Sequence, residues 1–310
     1  MKASSPRIVV VGSMVMDLVF RARYRPRPGE TLLGDEFAMY LGGKGFNQAI
    51  CCHRLGVETT FVGRAGNDRF GDMFIAKFAL EGMDARFVAR DPAAGTGVAS
   101  PLILPNGANS IVCMPRANMQ LSVEEVEAAH AEIARADVLM LQFEVNPKAS
   151  RRAAEIALQN NTRVLLDPAP AHMSGMAPDW PVDYLVPNEV EANLIAEGES
   201  PEEWAKVMFT SDRRAVVISL GDKGALALDA DGLRRFPSYR VDVKDTTGAG
   251  DAFRAGLAAK LARDSGLDDA VRYANACGAL ACTIPGAEPS MPNTDAVRAF
   301  MARSAPAGQQ

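Results

Sequence analysis

Asp245-Thr-Thr-Gly-Ala-Gly-Asp251 follows an extended-looking segment, residues 239–243, and runs directly into an apolar helical pattern over 252–261. The small residues Gly248, Ala249 and Gly250 let the backbone approach a ligand closely and turn its N–H groups toward it. Those groups lie at the expected start of a helix, where unpaired donors and the macrodipole favour an anion. Asp251 stands immediately beside that anion site. A carboxylate there is a poor phosphate ligand but a suitable base for a hydroxyl that attacks phosphorus. The stretch therefore reads as strand, anion loop and helix in series, and its chemistry points to phosphoryl transfer.

The same alternation extends upstream. Strands are expected at 8–11, 59–62, 138–141, 164–166, 184–186 and 215–219. Helices are expected at 48–55, 70–81, 122–136 and 147–159, briefly after 188, and at 252–263, 268–283 and 294–302. The β-branched run Ile8-Val-Val-Val11 suits a buried strand, Ser122-Val-Glu-Glu125 is a capping-box pattern, and Gly56 and Gly82 are helix stops. Strands alternating with helices predict an α/β fold with a central, mostly parallel sheet and helices on both faces. Ligands of such sheets sit beyond the carboxyl ends of the strands, where the polar motifs of this chain fall. Two pieces stand outside the pattern. Residues 17–40, punctuated by the turn Pro26-Arg-Pro28-Gly29, read as an excursion of short strands between the first strand and its helix. Residues 98–104 and 110–114 flank Pro105-Asn-Gly107, a hairpin signal, and can join that excursion in a small second sheet.

Composition narrows the function. The 310-residue chain has a net charge of −5 and no Lys/Arg run longer than two, so no nucleic-acid footprint is expected. The polar start, residues 1–7, leads into an apolar run too short for a signal-peptide core or a membrane span, and the expected setting is soluble and cytoplasmic. The five cysteines, Cys51, Cys52, Cys113, Cys277 and Cys282, show no C-x-x-C spacing, which argues against a disulfide framework or a zinc site. His53, His130 and His172 share no motif. Gly221-Asp-Lys-Gly224 lacks P-loop spacing, and Gly12-Ser-Met after the first strand is not a dinucleotide fingerprint.

Gly42-Gly-Lys-Gly-Phe-Asn47 and Asp245-Thr-Thr-Gly-Ala-Gly-Asp251 together closely resemble the two signatures of the ribokinase-like (PfkB) carbohydrate kinases. Pro28-Gly-Glu-Thr31, Asp167-Pro-Ala-Pro170, Asn188-Glu-Val-Glu191 and Gly286-Ala-Glu-Pro-Ser290 extend the resemblance, in the family's order, from about residue 7 to about 303. The resemblance implies one ribokinase-like domain over 1–310, a three-layer fold with a small β lid from about 18–40 and 98–114. It implies an ATP-dependent kinase acting on a primary hydroxyl of a pentose, of ribose or 2-deoxyribose type. Asp251 matches the family's catalytic base, and the N–H groups of Gly248, Ala249 and Gly250 its anion hole. Asp17, Gly43, Lys44, Asn47 and Glu144 match residues that hold the sugar hydroxyls, with Val15 nearby. Asn188 and Glu191 match the motif that organises Mg²⁺ and its waters, and a helix cap with a first-turn acid is compatible with that role. Ser219, Gly221 and Gly224 match positions along the nucleotide ribose and phosphates, and Asn275 a position beside the adenine. Asp245, Thr247, Ile284, Gly286 and Ser290 match a monovalent-cation site, usually K⁺, for which a plain loop clasp is the alternative. In ribokinase-like relatives the lid also forms a homodimer contact.

One departure bears on substrate. The family's N-x-D carries Asn two residues before the sugar-binding Asp, whereas this chain has Val15-Met16-Asp17. A hydroxyl buried against valine loses its partner, at a cost of about 1–3 kcal/mol. Either the sugar lacks that hydroxyl, as in relatives acting on 2-deoxyribose, or water or another side chain bonds it. Phe46, where many relatives have Ala, is expected to add bulk near the pocket. A nucleoside kinase and a hexose or sugar-acid kinase remain alternatives within the family, and a non-catalytic sugar- or nucleotide-binding protein is the alternative of another class.

Overall fold

A computed structural model describes residues 5–170, 173 and 180–304; residues 1–4, His172 and the tail from 305 lie outside the described residues. Thirteen strands are present among them: β1 Arg7–Val11, β2 Val15–Arg21, β3 Glu36–Gly42, β4 Glu58–Gly66, β5 Val88–Asp91, β6 Gly97–Ile103, β7 Asn109–Met114, β8 Val138–Gln142, β9 Arg163–Asp167, β10 Tyr184–Leu185, β11 Ala215–Ser219, β12 Ala225–Asp229 and β13 Gly232–Phe236. Nine form the central sheet in the order β13-β12-β11-β10-β9-β8-β1-β4-β5. Pairing is parallel from β11 through β5 and antiparallel only at the β11-β12-β13 edge. That edge contains the turn at Asp231-Gly232.

Helices cover both faces, and the period-two alternation of the strands explains why. Ile8 and Val10 of β1, Met140 of β8, Leu165 of β9 and Val217 of β11 point into one core. There they meet α1 Lys44–Arg54, α2 Arg69–Glu81, α8 Ala249–Leu261, α9 Leu267–Ala281 and α11 Thr294–Arg303. Their neighbours Val9, Val11, Leu139, Leu141, Val164, Leu166, Val216 and Ile218 point the other way, into a core that includes α5 Pro147–Gln159 and α7 Pro201–Met208. Strands buried on both faces need the continuous apolar runs seen in the sequence. Each fully buried Val, Leu or Ile contributes about 1.5–3 kcal/mol.

The other four strands form a separate sheet, β3-β2-β6-β7, in which β2 runs parallel to β6 and antiparallel to β3. Its two faces differ. Asp17, Val19, Arg21, Ala38, Tyr40, Pro101 and Ile111 line a small cavity shared with Asp245, Thr247 and Gly286. Phe20, Phe37, Met39, Val112 and Met114, on the opposite face by strand register, are exposed.

Several boundaries differ from those read in sequence. The helix expected over 48–55 begins at Lys44, and the one expected from 252 begins at Ala249, which brings Asp251 into its first turn. The helix expected over 122–136 is broken at Ala129 into α3 Val123–Ala128 and α4 His130–Ala134, although the Ser122–Glu125 capping box forms. Residues 239–243 form no strand. The helix after Asn188 is α6 Glu189–Ile195; α7 and the short α10 Ala287–Ser290 were not expected. For α7 the signal was present: Ser200 caps the helix and Pro201 occupies its first turn.

Candidate active site

Helix α8 starts at Gly248, whose φ of 79° is open to glycine and strained for other residues. Of the expected anion-hole groups, Ala249 N donates to Thr246 O at 3.2 Å, whereas the N–H groups of Gly248 and Gly250, and of Asp251 beside them, meet no protein acceptor among the described residues, so the helix start still presents free donors. Asp251 is buried, and its carboxylate is held from the first glycine-rich segment. Asn47 Nδ2 donates to Oδ2 at 2.8 Å, and Gln48 Nε2 donates to Oδ1 at 3.1 Å. Gln48 also donates to Asp167 Oδ2 at 2.9 Å and accepts from Gln142 Nε2 at 2.7 Å. Burial raises the Asp251 pKa above the usual carboxylate range. The Lys44 ammonium and the two amides oppose the rise, and Asp167 adds to it. The result is an acid with more affinity for a proton than an ordinary aspartate.

Asp17 projects from β2 toward the same centre. Gly42 opposite it needs to lack a side chain, because a Cβ there would lie 2.3 Å from Asp17 Oδ2. No protein donor bonds Asp17 among the described residues. Burial, then the charges of Glu144 and Asp251, push its pKa to about 7. Glu144 accepts from the Ser13 hydroxyl and from Lys44 N at 3.0 Å, and burial raises its pKa too. Asn47 Oδ1 is buried without a partner, a free acceptor beside Asp251. Gly43 sits at φ 91°, with its backbone packed on Val15 N and Ser13 O. Val15 is buried at the start of β2, paired with Gly42 and Gly97, on the same face as Asp17. Phe46 corrects an expectation: its ring packs edge-on against Phe74 and Phe78, at 4.8 and 5.3 Å, deep in the core. It does not flank the pocket.

A cleft of 380 Å³ links this centre to the phosphate side, lined by Lys44, Asn188, Ser219, Gly221, Gly248, Gly250, Asp251 and Arg254. Lys44, expected with the sugar residues, thus has its side chain in this cleft. Burial acts against its charge, but Asp167, Asp251 and Glu144 outweigh it and hold the ammonium above its ordinary range. Asn188 and Glu191 form a reciprocal capping box at α6, each accepting the other's backbone N–H at 2.8 Å. Glu191 Oε2 also accepts from Arg254 Nη2 at 3.1 Å, and no protein donor bonds its second oxygen among the described residues. The cap is therefore present; Asn188 lines the cleft, while Glu191 is buried behind it and is not among the lining residues. A bridge between Asn188 and Ser219 ties this corner to the next cavity.

That cavity, 690 Å³, is lined by Ser219, Gly221, Gly224, Tyr239, Val243, Phe253, Asn275 and Gly278 among others. All four residues expected around the nucleotide border it. Asn275 Nδ2 donates to the carbonyls of Phe236 and Pro237 at 3.2 Å, and no protein donor bonds its oxygen among the described residues. On the far side of the anion loop, Asp245 Oδ1 accepts from Thr247 N and Oγ1 at 2.9 and 2.7 Å, and Oδ2 accepts from Gly286 N at 2.9 Å. Asp245 thus clasps two loops together. Ser290 donates to Ala287 O at 2.8 Å, and Ile284 is half-exposed at the rim. Burial raises the Asp245 pKa, but these bonds overcome it and the group lies below its ordinary value.

Sequence reasoning assigned no role to Gln48, Gln142, Asp167 or Arg254, which hold the centre together. Arg254 Nε donates to Val186 O at 3.0 Å and lies 2.9 Å from Asp167 Oδ1. An arginine within an apolar helical run was a readable signal; the two glutamines gave none.

A sequence model of the pfkB family of carbohydrate kinases matches residues 5–294. Ribokinase of Haemophilus influenzae is 33% identical over 299 residues, covering 95% of this chain and 98% of its own. Deoxyribokinase of Salmonella typhimurium is 29% identical over 301 residues, covering 95% and 98%. Among solved structures, ribokinase from Thermotoga maritima is similar with a TM-score of 0.85 at 32% identity, covering 95% of this chain and 99% of that one. Arabidopsis thaliana ribokinase complexed with ribose and ATP has a TM-score of 0.81 at 28% identity, covering 96% and 98%.

Proposed function

The chain belongs to the pfkB family of carbohydrate kinases, and from that premise we propose that it transfers the γ-phosphoryl group of ATP to a primary hydroxyl of a pentose, of ribose or 2-deoxyribose type. The observation that carries the site assignment is the 2.8 Å bond from Asn47 to Asp251, which joins the sugar-side segment to the anion loop across 204 residues. Asp251 takes the hydroxyl proton as the oxygen attacks phosphorus, and its raised pKa suits that task. The N–H donors at the start of α8 receive the charge that develops on the phosphoryl oxygens. Lys44, which lines the same cleft, adds a cation. Asn188 and Glu191 would organise Mg²⁺ and its waters, and the ion when bound would neutralise nucleotide phosphate charge. Asp17, Asn47 and Glu144, with the backbone of Gly43, orient the sugar. Ser219, Gly221, Gly224 and Asn275 hold the nucleotide in the adjoining cavity.

Val15 sets the choice of sugar. An apolar side chain beside Asp17 favours a pentose without a hydroxyl at that point, so 2-deoxyribose matches or exceeds ribose in kcat/KM. Asp245, Thr247, Ile284, Gly286 and Ser290 would hold a monovalent cation, K⁺, largely through backbone oxygens, and the ion would stiffen the anion loop. The small sheet acts as a lid over the sugar and carries a homodimer contact, and the ATP-consuming reaction is cytoplasmic. ADP release over a panel of pentoses, hexoses and nucleosides, in K⁺ and in Na⁺, tests these assignments together. Activity confined to hexoses or nucleosides removes the pentose, a strong preference for ribose removes the role of Val15, and equal rates in both salts remove the cation. For the base, Asp251→Asn lowers turnover by about a thousandfold or more while sugar and nucleotide still bind; turnover near the wild-type level would exclude Asp251.

A further inference from the structure

Arg254 is 2% exposed, one turn along α8 from Asp251, in a stretch otherwise built of Ala, Gly, Phe and Leu. Two of its three nitrogens are engaged. Nε donates to Val186 O and lies against Asp167, and Nη2 donates to Glu191. Those contacts fasten α8 to the ends of β9 and β10 and to α6, which accounts for a structural role. Nη1 is left over: no protein acceptor meets it among the described residues. It lies beside Gly250, where a Cβ would stand 2.7 Å from it, and Arg254 lines the 380 Å³ cleft with Gly248, Gly250, Asp251 and Lys44. A buried guanidinium with a spare N–H pair thus faces the cleft at the level of the free amides.

We propose that Arg254 is a further catalytic residue, whose Nη1 donates to an oxygen of the phosphoryl group in flight beside the amides of the α8 start. This rests on the phosphoryl-transfer assignment of the site. The transferring group carries charge on three equatorial oxygens, and the amides, Arg254 Nη1 beside Gly250 and Lys44 of the same cleft supply donors for them. In the step, the alcohol oxygen bonds to phosphorus as the bond to the bridging oxygen of ADP breaks. The hydroxyl proton goes to Asp251, and Arg254 keeps all its protons. A guanidinium suits the place because it stays charged and divides its donors among several acceptors in one plane. Asp167 and Glu191 fix that plane before substrate arrives, so no reorganisation is needed during the reaction.

The test compares wild type with Arg254→Gln and Arg254→Lys in kcat, in ADP affinity, and in affinity for ADP with aluminium fluoride, a mimic of the planar phosphoryl group. Circular dichroism selects folded variants, and Arg254→Lys, which keeps a cation between the carboxylates, serves if Arg254→Gln does not fold. The expected result is a kcat loss of about a hundredfold or more, an equal loss for the mimic, and ADP affinity within about threefold of wild type. Added guanidinium ion raises the turnover of Arg254→Gln by about tenfold, which a fastening role alone does not predict. Equal losses for ADP and the mimic, or kcat within about threefold of wild type, overturn the proposal. Binding of the mimic needs no knowledge of the sugar. A wild type that binds it yet phosphorylates no pentose therefore defeats the pentose assignment and leaves Arg254 open to the same measurement.

Discussion

Asp17 is a carboxyl group in a place that suits a ligand better than it suits the empty protein. Burial and two neighbouring carboxylates lift its pKa from 3.8 to about 7, and no protein donor among the described residues compensates. Sugar hydroxyls bond best to the ionised form, which is depleted below pH 7. The KM for the sugar therefore rises about tenfold per pH unit below that point, with the KM for ATP nearly flat. Asp17→Asn removes the inflection and raises the sugar KM by about ten- to a hundredfold. A sugar KM that is flat from pH 5.5 to 8 counts against this role. Stability runs the opposite way. A raised folded pKa means that the protonated form favours folding, so stability falls as pH rises from 3.8 toward 7 and is level above it. By linkage the loss is on the order of 4 kcal/mol at most. In unliganded protein, Asp17→Asn accordingly melts higher than wild type at pH 8, and the advantage shrinks toward pH 5.

At the scale of elements, the starts of α1 and α8 carry the chemistry, and both begin at a glycine with positive φ. Gly43→Ala places a Cβ 2.8 Å from Val15 N and 2.9 Å from Ser13 O, contacts with backbone that cannot yield cheaply. The variant loses about 1–3 kcal/mol in denaturant unfolding, and its sugar KM rises more than its ATP KM. An unchanged midpoint would show that the loop relaxes freely. These two starts also show what sequence can and cannot reveal. The strand runs are legible because residues buried on both faces must be apolar throughout, as at Ile8 to Val11. The α1 start is misplaced by four residues because Lys44-Gly-Phe-Asn47 has a loop composition. Phe46 and Asn47 are neighbours in sequence, yet a helix turns about 100° per residue. One therefore enters the aromatic core and the other meets Asp251. Residue types at the loops were readable, and so was their chemistry. The partnership of Gln48, Gln142, Asp167 and Arg254 was not, because four separate elements bring them together over 87 to 119 residues.

For the whole molecule, the proposed lid and the proposed dimer contact both rest on the small sheet. Residues alternate across its strands, so one face serves the cavity of Asp17 and Asp245 while the other turns outward. On that outer face Phe20 and Phe37 pack ring to ring at 5.1 Å and remain 41% and 54% exposed, with Met39, Val112 and Met114 alongside. A contiguous apolar face of this kind is unusual on a solitary soluble protein and suits a self-complementary contact. Because the same strands carry Asp17, a partner on the outer face also limits how far the inner face can shift. The double variant Phe37→Arg with Val112→Glu puts opposite charges on that surface and leaves the inner residues in place. Sedimentation should show a dimer for wild type and a monomer for the variant. The sugar KM of the variant rises by about three- to tenfold and ADP affinity stays level, since the nucleotide cavity lies at the other end of the cleft. A wild type that sediments as a monomer at micromolar concentration excludes the dimer, and a monomeric variant with unchanged sugar KM separates association from the closing of the site.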